Sequence, residues 1–443
     1  MSQYENRAEL LVNGDTILPS LLADIRAARS TIHISIFLWF RDPIGEELAA
    51  ALLERARSGV TIRVLLNLQK TAMGDPFSTG EAEMMKHDPT VKHDPTDVEP
   101  LCERLRQGGI EVCDTNIDYD AKLVGVHPRL QSVARQIADA IKVDDLHVDH
   151  RKIIVVDGRI AYCGGANIGA QYMYHVPFDP RKEAKIEGEE RKQQELNEPW
   201  WKWHDSLTRF EGPIVSDLER AFHERFVLDG GRDFALDEAS AVAPASERGF
   251  PIREARVLSN APCPEPNEVR ELYVRLIREA QRSIFIENPY LYHPAIVDAL
   301  CEAKRARPDL DVTLILPSRD LNDNKFAQDA QQHEYVRYLE CGIDVYEYRC
   351  HFTHLKIAVF DDRYSIHGST NGNFRSLEDD KDFELVVLVD DEPFAQHVLQ
   401  IVRDIDIQHS HKVTQADVSH GVSGFRTRHR DPRTLYLYSQ RVL

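Results

Sequence analysis

The chain has 443 residues, of which 42% are hydrophobic and 29% are charged, a composition typical of a soluble globular protein of two or three domains. Its formal net charge is −19, which repels nucleic acid and anionic lipid, so an anionic substrate would need a local basic pocket. No apolar run approaches the length of a membrane-spanning helix, and the first residues lack the basic start and apolar core of a signal peptide. We therefore expect a cytoplasmic protein, and the composition leaves association with a bilayer surface open.

The first half of the chain alternates helical and strand patterns. Apolar residues recur every three or four positions in LLADIRAARS (21–30), and an alternating strand pattern follows in TIHISIFLW (31–39). A second helix and strand follow in IGEELAAALLERARSG (44–59) and VTIRVLLNL (60–68). This order of elements favours an α/β sheet that is covered by helices.

The second half repeats this order. A helix and a strand are predicted in VRLIREAQRSIFIENPYL (274–291), followed by a helix in PAIVDALCEAKRARP (294–308) and a strand in DVTLILP (311–317). Four apolar positions recur at identical spacing in the two halves: Ile25, Ala28, Ile32 and Ile34 match Ile277, Ala280, Ile284 and Ile286. Internal duplication is the economical explanation, and it predicts two similar domains.

The two halves differ in length before the motif described below. The first half has about 48 more residues there, which predicts an insertion at about 72–149. A run rich in Gly, Ala, Ser and Pro at 230–252 predicts the domain boundary. We therefore predict a first domain at 1–240 and a second at 250–443, the latter ending in a C-terminal extension.

The seven cysteines are scattered along the chain without the CxxC spacing of metal and redox motifs. An odd number of cysteines cannot all pair within one chain. We therefore expect reduced and mostly buried thiols, as is usual in a cytoplasmic protein.

Two segments, HRKIIVVD (150–157) and HLKIAVFD (354–361), carry the same polar residues at the same spacing. Counting from each histidine, a lysine stands at +2, an aspartate at +7, a pair of small residues at +14 and +15, and an asparagine at +17. Residues two apart on a strand face the same side, so each His–Lys pair can serve one pocket. The residues concerned are His150, Lys152, Asp157, Gly164, Gly165 and Asn167 in the first copy, and His354, Lys356, Asp361, Gly368, Ser369 and Asn371 in the second.

Paired histidines, lysines and asparagines, with no carboxylate pair or obvious metal-ligand set, suit phosphodiester cleavage. The ammonium groups and amides can hold the non-bridging oxygens of a phosphate. One neutral imidazole can attack phosphorus and form a covalent phosphohistidine, while the other, protonated, donates to the leaving oxygen. A single copy would be a weak signal, but two copies within a wider repeat indicate that each half supplies half of one site.

The doubled motif resembles that of the phospholipase D superfamily, whose signature is a repeated HKD motif, and the resemblance extends over about 10–399. It implies two similar α/β/α sandwich domains with one active site at their interface, and neither a cofactor nor a metal. It also implies that one of His150 and His354 is the nucleophile and the other the general acid, and we assign the attack to His150. The positions that match the family's phosphate-holding residues are Lys152, Lys356, Asn167 and Asn371.

Four carboxylates match supporting positions of this family. Asp157 and Asp361 match its motif aspartates, which brace the hairpin and do not touch substrate. An imidazole needs a carboxylate partner to fix its tautomer, and the resemblance implies that these partners act across the domain boundary. Glu384 would orient the first motif histidine, and Asp205 would orient the second, with an ordinary helix cap or surface acid as the alternative for Asp205.

Within the superfamily the chain most resembles bacterial cardiolipin synthases and related phosphatidyltransferases. The residues that carry this resemblance are GGANIGAQY (164–172), WHDSLTRFEGP (203–213) and HGSTNGNFRS (367–376). The segment IENPYL (286–291) is as similar to phospholipase D enzymes proper, and the N-terminal membrane-spanning helices of many such synthases are not seen. The acceptor is therefore left open: water would make a hydrolase, and an alcohol such as a glycerol-bearing lipid would make a transferase.

Two other functions compete with this interpretation. A nuclease of the same superfamily would need a basic groove with stacking aromatic residues, and a charge of −19 gives no overall basic footprint. An inactive binding module would be indicated by the loss of one motif, and both motifs are intact. We therefore predict a phospholipid substrate, peripheral membrane contact and no nucleic-acid partner, and we leave the oligomeric state open.

A lipid substrate predicts apolar side chains near the cleft. WWKW (200–203) follows a highly charged run and supplies three tryptophans within four residues. We predict that some of Trp200, Trp201 and Trp203 border the cleft.

Overall fold

Helices and strands alternate in both halves of the chain in the computed structural model. The residues described are 6–68, 71, 96–115, 148–178, 202–236, 246–261, 266–319, 321–322, 324–378 and 381–419. The strands of the first half are β1 (Asn6–Val12), β2 (Thr31–Ile36), β3 (Thr61–Leu66), β4 (Glu111–Asp114), β5 (Ile153–Val156), β6 (Ile160–Gly164) and β7 (Ser206–Glu211). The helices are α1 (Gly14–Ala27), α2 (Pro43–Arg57), α3 (Glu99–Gln107) and α4 (Ile214–Leu228).

The second half repeats this succession of elements. The strands are β8 (Phe250–Ile252), β9 (Glu254–Asn260), β10 (Ser283–Glu287), β11 (Asp311–Pro317), β12 (Asp344–Tyr348), β13 (Ile357–Phe360), β14 (Tyr364–Gly368), β15 (Glu384–Asp390) and β16 (Ser410–Lys412). The helices are α5 (Glu268–Glu279), α6 (Pro294–Ala306), α7 (Lys325–Glu340), α8 (Phe374–Leu377), α9 (Glu392–Ile401), α10 (Arg403–Asp406) and α11 (Gln415–Ser419), with a 3₁₀ turn at Ile407–His409.

The strands of the described residues form two eight-stranded sheets, and seven strands of each follow the same order. The first sheet runs β4-β3-β2-β5-β6-β7-β1, and the second runs β12-β11-β10-β13-β14-β15-β9. In each sheet the first three strands are parallel, and the pairings that follow are antiparallel. The shared order confirms the predicted α/β class and the two similar domains.

The eighth strand differs between the sheets. In the first sheet it is β8, which pairs with β1, and in the second it is β16, which pairs with β12. The chain therefore passes from one sheet to the other between Ile252 and Glu254, close to the end of the predicted boundary region. The domain bounds 1–240 and 250–443 stay a prediction.

The predicted insertion at 72–149 contains two elements of the repeated unit. Helix α3 and strand β4 follow β3 in the first sheet, just as helix α7 and strand β12 follow β11 in the second. The rest of the predicted insertion, at 72–95 and 116–147, lies outside the described residues.

Alternate residues of the buried strand β5 face two different cores. Ile154 and Val156 pack with the apolar faces of α1, α2 and α3. Ile153 and Val155 face a second core, to which both sheets and the helices α4 and α9 contribute. Strand β13 repeats this alternation. Each sheet is therefore covered on both faces, which is the α/β/α arrangement that the family resemblance implies.

One pair of cysteines departs from the expectation of reduced thiols. Cys301 of α6 and Cys341, just after α7, form a disulfide in which the Cα atoms are 5.4 Å apart. The other described cysteines are free. The expectation was wrong for this pair because 40 residues separate the two cysteines, and only the packing of neighbouring helices brings them together.

The motif aspartates join each hairpin to the neighbouring strand of its sheet. Asp157 lies in the turn between β5 and β6 with φ 54°, and its carboxylate accepts hydrogen bonds of 2.7–3.1 Å from the backbone N–H groups of residues 29–31. Partial burial would raise the pKa of Asp157, but these hydrogen bonds lower it. Asp361, with φ 53°, makes the same contacts to residues 281–283.

We expect Asp157→Asn to lower the free energy of unfolding by about 1–2 kcal/mol, because a charged acceptor of several hydrogen bonds becomes a neutral one. Asparagine tolerates the positive φ, so the backbone should be retained. Urea unfolding followed by fluorescence measures the change. Asp362→Asn is the control, since Asp362 has φ 56° but, among the described residues, its side chain accepts only a 2.9 Å hydrogen bond from Ser283 Oγ. Equal losses in the two variants would contradict this account.

Candidate active site

Both motif histidines lie just before the first strand of a hairpin. His150 and Lys152 precede β5, and His354 and Lys356 precede β13. Each lysine Nζ donates to the carbonyl oxygen of its own motif histidine, at 2.6 Å for Lys152 and 2.8 Å for Lys356. The ammonium group is therefore held beside the histidine of the same motif.

Backbone hydrogen bonds fix each motif against the opposite half of the chain. The N–H of His150 donates to the carbonyl of Phe383 in the second half, at 3.0 Å. The N–H of His354 donates to the carbonyl of His204 in the first half, at 2.7 Å. Because Phe383 and His204 immediately precede Glu384 and Asp205, each of these pairings delivers a carboxylate beside a motif histidine.

Each imidazole is paired with the carboxylate that the opposite half delivers. His150 Nδ1 lies 2.9 Å from Glu384 Oε1, and His354 Nδ1 lies 2.7 Å from Asp205 Oδ2. Both carboxylates are fully buried. A carboxylate can only accept, so Nδ1–H is the donor in both pairs, and the Nε2 lone pair of a neutral ring is left for the substrate.

The two carboxylates are themselves held by hydrogen bonds. Ser376 Oγ donates to Glu384 Oε1 at 2.5 Å, and Ser369 Oγ donates to Glu384 Oε2. Asp205 Oδ1 accepts the N–H of Ser206 at 2.7 Å. Fixed carboxylates hold the imidazole rings in one orientation, because each ring follows its partner.

The two serines were not among the predicted site residues. Ser369 is one of the two small residues at +14 and +15, and Ser376 lies in the segment that resembles cardiolipin synthases. The available signal was that the first copy of the motif has Gly165 where the second has a hydroxyl. A Cβ at Gly165 would meet Asp205 Oδ1, so the small residue makes room for the carboxylate there.

The charged groups of the two motifs are buried and act on one another. Burial and the charge of Lys152 lower the pKa of His150 more than Glu384 raises it, and Lys356 lowers it further. Burial and the charges of Lys356 and Lys152 lower the pKa of His354 well below its usual value. Burial also lowers the pKa of Lys152 to about 8. Both imidazoles are therefore neutral at pH 7 in the absence of substrate.

The two supporting carboxylates respond differently to burial. Burial would raise the pKa of Glu384, but its pairing with His150, the charge of Lys152 and the hydrogen bond from Ser369 lower it below its usual value. Burial raises the pKa of Asp205 to about 7. At pH 7 Glu384 is therefore an anion and Asp205 is about half protonated, and the anionic form of each carboxyl group orients a neutral imidazole through Nδ1–H.

The two motif asparagines are both buried but have different surroundings. Asn167 Oδ1 accepts the backbone N–H of Leu38 at 3.1 Å, so its amide is fixed to the loop after β2. Asn371 Oδ1 is buried without a hydrogen-bond partner among the described residues. A buried acceptor of this kind can be satisfied by a hydroxyl group of a ligand.

Aromatic rings surround the two imidazoles. The Phe37 ring lies 4.9 Å from His150 between centroids, and Trp203 lies 5.0 Å from His354. Tyr172 also contacts the His354 ring. The prediction that a tryptophan borders the cleft is met by Trp203, whereas Trp200 and Trp201 lie outside the described residues.

The duplicated α/β/α fold and the paired His–Lys motifs define the class of protein. They are the features of a phospholipase D-type phosphodiesterase or phosphatidyltransferase. The family model described as "Cardiolipin synthase, PLD-like domain" matches residues 21–181 and 273–405. The chain belongs to this family, which confirms the predicted resemblance and enzyme class.

Similar proteins share this fold and family. Cardiolipin synthase A of Pseudomonas syringae is 26% identical over 414 residues, covering 92% of this chain and 71% of that protein. The major cardiolipin synthase of Bacillus subtilis is 24% identical over 418 residues, covering 93% of this chain and 70% of that one. The crystal structure of phosphatidylserine synthase from Haemophilus influenzae has a TM-score of 0.58 at 15% identity, covering 98% and 95% of the two chains, and supports the fold.

Among the described helices, none has the length and apolar character needed to cross a bilayer. This agrees with the prediction from hydropathy for that part of the chain.

We expect Glu384→Gln to lower kcat by roughly 10²–10⁴-fold in a phospholipase D-type assay, because the imidazole of His150 loses its fixed orientation. The negative charge of Glu384 raises the pKa of His150, so its removal should lower that pKa. The acidic limb of the profile of kcat/KM against pH should then move to lower pH, which a purely structural effect would not produce. Glu347→Gln, a buried glutamate of β12, is the control, and an unshifted acidic limb in Glu384→Gln would contradict this role.

Proposed function

We propose that the chain is a cardiolipin synthase-like enzyme that cleaves a phospholipid phosphodiester through a covalent phosphohistidine and transfers the phosphatidyl group to an alcohol or to water. The observation that carries this proposal is the reciprocal pairing of His150 with Glu384 and of His354 with Asp205. Two oriented imidazoles and two buried lysines in one pocket supply a nucleophile, a general acid and charge for the phosphate.

His150 attacks phosphorus through Nε2 in this proposal, and His354 donates a proton to the leaving oxygen. Both rings have a lowered pKa and are neutral at pH 7, so the assignment of the attack to His150 follows the family resemblance. The second role needs a protonated ring. When the anionic phosphodiester binds beside Lys152 and Lys356, its negative charge raises the pKa of His354 and so favours protonation of that ring. The general acid is thus charged when substrate is bound.

The phosphate oxygens are held in this proposal by Lys152, Lys356, Asn167 and Asn371. Two buried ammonium groups can balance the charge that develops on the non-bridging oxygens. After the headgroup leaves, His354 takes a proton from the acceptor, which attacks the phosphohistidine from the vacated side. The phosphatidyl group is transferred twice. The first step forms the P–N bond to His150 and breaks the P–O bond to the headgroup, and the second forms the P–O bond to the acceptor and breaks the P–N bond.

An alcohol acceptor is favoured over water by the aromatic surroundings of the pocket. The rings of Phe37, Trp203 and Tyr172 contact the imidazoles and exclude solvent from them. A glycerol-bearing lipid also offers apolar surface to these rings. Since such substrates lie in a bilayer, we include peripheral contact with a membrane surface in the proposal. The cytoplasmic location stays a prediction.

We expect the wild-type enzyme incubated with phosphatidylglycerol to form cardiolipin and free glycerol, identified by mass spectrometry. His150→Ala and His354→Ala should each lose at least about 10³-fold in rate, because each removes a group that takes part in both chemical steps. Phosphatidylcholine serves as a second substrate, and single- and double-stranded DNA serve as a nuclease control.

Each product pattern has a separate meaning. Phosphatidic acid with free headgroup would show that water is the preferred acceptor and would correct the transferase assignment. Intact lipids together with cleaved DNA would contradict the lipid substrate and leave only the phosphohistidine chemistry.

We expect the covalent intermediate to lie on His150. Rapid acid-free quenching of His354→Asn with a phosphatidyl ester of an acidic alcohol, such as a nitrophenol in place of glycerol, should trap it, since such a leaving group needs no general acid. Peptide mass spectrometry should then find the phosphatidyl group on the peptide that contains His150. His150→Asn, treated in the same way, should give no adduct, and an adduct on His354 would reverse the assignment of the two roles.

A further inference from the structure

Behind the active site three buried side chains that take no part in the proposed chemistry come together. His204 immediately precedes Asp205, Glu287 ends β10, and Asp406 ends α10. Their side chains are 3%, 0% and 2% exposed, and a ligand atom of each lies within 4.8 Å of the others. The cluster therefore joins the first half of the chain to two segments of the second.

The imidazole of His204 is oriented so that its Nε2 faces the two carboxylates. His204 Nδ1 lies 2.7 Å from the side-chain oxygen of Asn13, so Nδ1–H donates to Asn13. Nε2 then carries the lone pair of a neutral ring, and it lies 2.9 Å from Asp406 Oδ2 and 4.0 Å from Glu287 Oε1. A lone pair and a carboxylate oxygen at this distance need a proton or a metal ion between them.

The cluster has no cationic side chain to balance its carboxylates. Among the described residues, neither Glu287 nor Asp406 forms an ion pair with lysine or arginine, and His204 is the only basic partner of both. Two buried carboxylates without a cation are strongly disfavoured, so they must bind either protons or a metal ion. The carboxylates of the active site differ in this respect, because they face Lys152 and Lys356.

Glu287 also has an unused ligand atom. Oε1 accepts a 2.5 Å hydrogen bond from Thr353 Oγ1, whereas Oε2 is buried with no donor among the described residues. The carboxyl groups of Glu287 and Asp406 lie within hydrogen-bonding reach of each other, so a shared proton or an ion can join them. A buried carboxylate oxygen of this kind requires an explanation, and an ion is one of them. This observation is independent of the orientation of His204, and both place ligand atoms that need a proton or an ion at the same point.

We propose that His204, Glu287 and Asp406 bind a divalent transition-metal ion, with zinc or manganese as the best match to one imidazole and two carboxylates. The separation of 2.9 Å between Nε2 and Oδ2 suits two ligands about 90° apart at metal distances of about 2.0–2.2 Å, as in an octahedral manganese site, and a tetrahedral zinc site would need them slightly further apart. Asn13 supplies the outer hydrogen bond that fixes the ligating tautomer, as is usual for histidine ligands. The ion does not touch substrate.

The position of the ion gives it a structural role. It would fix the segment before Asp205, and through Thr353 it would fix the segment before His354. The ion would therefore hold the carboxylate and the histidine of one catalytic pair in register across the two halves. This proposal does not depend on which phospholipid or acceptor the enzyme uses.

The test is the metal content and thermal stability of the untagged full-length chain. We expect about one zinc or manganese ion per chain by plasma mass spectrometry, either as purified or after dialysis against the metal and then metal-free buffer. Glu287→Gln and Asp406→Asn should lose the ion. Glu219→Gln should retain it, because Glu219 belongs to a buried pair with His33 that includes no second carboxylate in the part of the chain that the structure describes.

A second variant tests the site without removing a ligand. Asn13→Gly suits the positive φ of 70° and removes the acceptor of Nδ1–H, and it should raise the Kd for zinc by about 10–100-fold in a chelator competition assay. The melting temperature of the wild type, but not of Asp406→Asn, should rise with zinc or manganese and remain unchanged with magnesium or calcium.

Two results would overturn the proposal. One is wild-type protein that holds no ion and whose melting temperature is unchanged by zinc and manganese, which would leave two carboxyl groups that share protons. The other is an ion that both Glu287→Gln and Asp406→Asn retain with unchanged affinity, which would place it elsewhere on the chain. Neither result would affect the proposed lipid chemistry.

Discussion

The hydrogen bond from each motif imidazole to a carboxylate of the opposite half is the interaction on which the rest of the site depends. Without it, a buried histidine would have neither a fixed tautomer nor a fixed ring orientation. His150 depends on Glu384 from the second half, and His354 depends on Asp205 from the first. Neither half therefore contains a complete catalytic pair, and the active site exists only where the two halves pack together.

The shared core makes this reciprocal arrangement rigid. Strands β5 and β13 follow the two motif lysines. Alternate residues of both strands point into the same apolar core, which lies between the two sheets. Close packing of that core leaves little freedom for one half to shift relative to the other. The motif aspartates then tie each hairpin to its own sheet, and the proposed metal ion would tie the segments before Asp205 and His354 together from behind. Catalytic precision thus depends on elements that never contact substrate.

Much of the fold and site could be predicted because the duplication repeats local signals. The offsets from His150 and His354 marked the lysines, and strand alternation marked the sheets. Other features depend on tertiary contacts that no local pattern reveals. Ser369 and Ser376 look like ordinary small residues until the chain places them on Glu384. His204, Glu287 and Asp406 come from distant segments, and so do the disulfide cysteines. Helix α3 and strand β4 were assigned to an insertion because long additional segments separate them from the elements they pack with.

The most direct test of a single shared site compares the kcat of His150→Asn, His354→Asn and the double variant in phosphatidyl transfer. If both histidines belong to one catalytic unit, each single variant should fall to within about tenfold of the double variant, because the losses of residues that act together do not multiply. Single variants that each keep about half of the wild-type activity would contradict this account, since that result requires two independent sites.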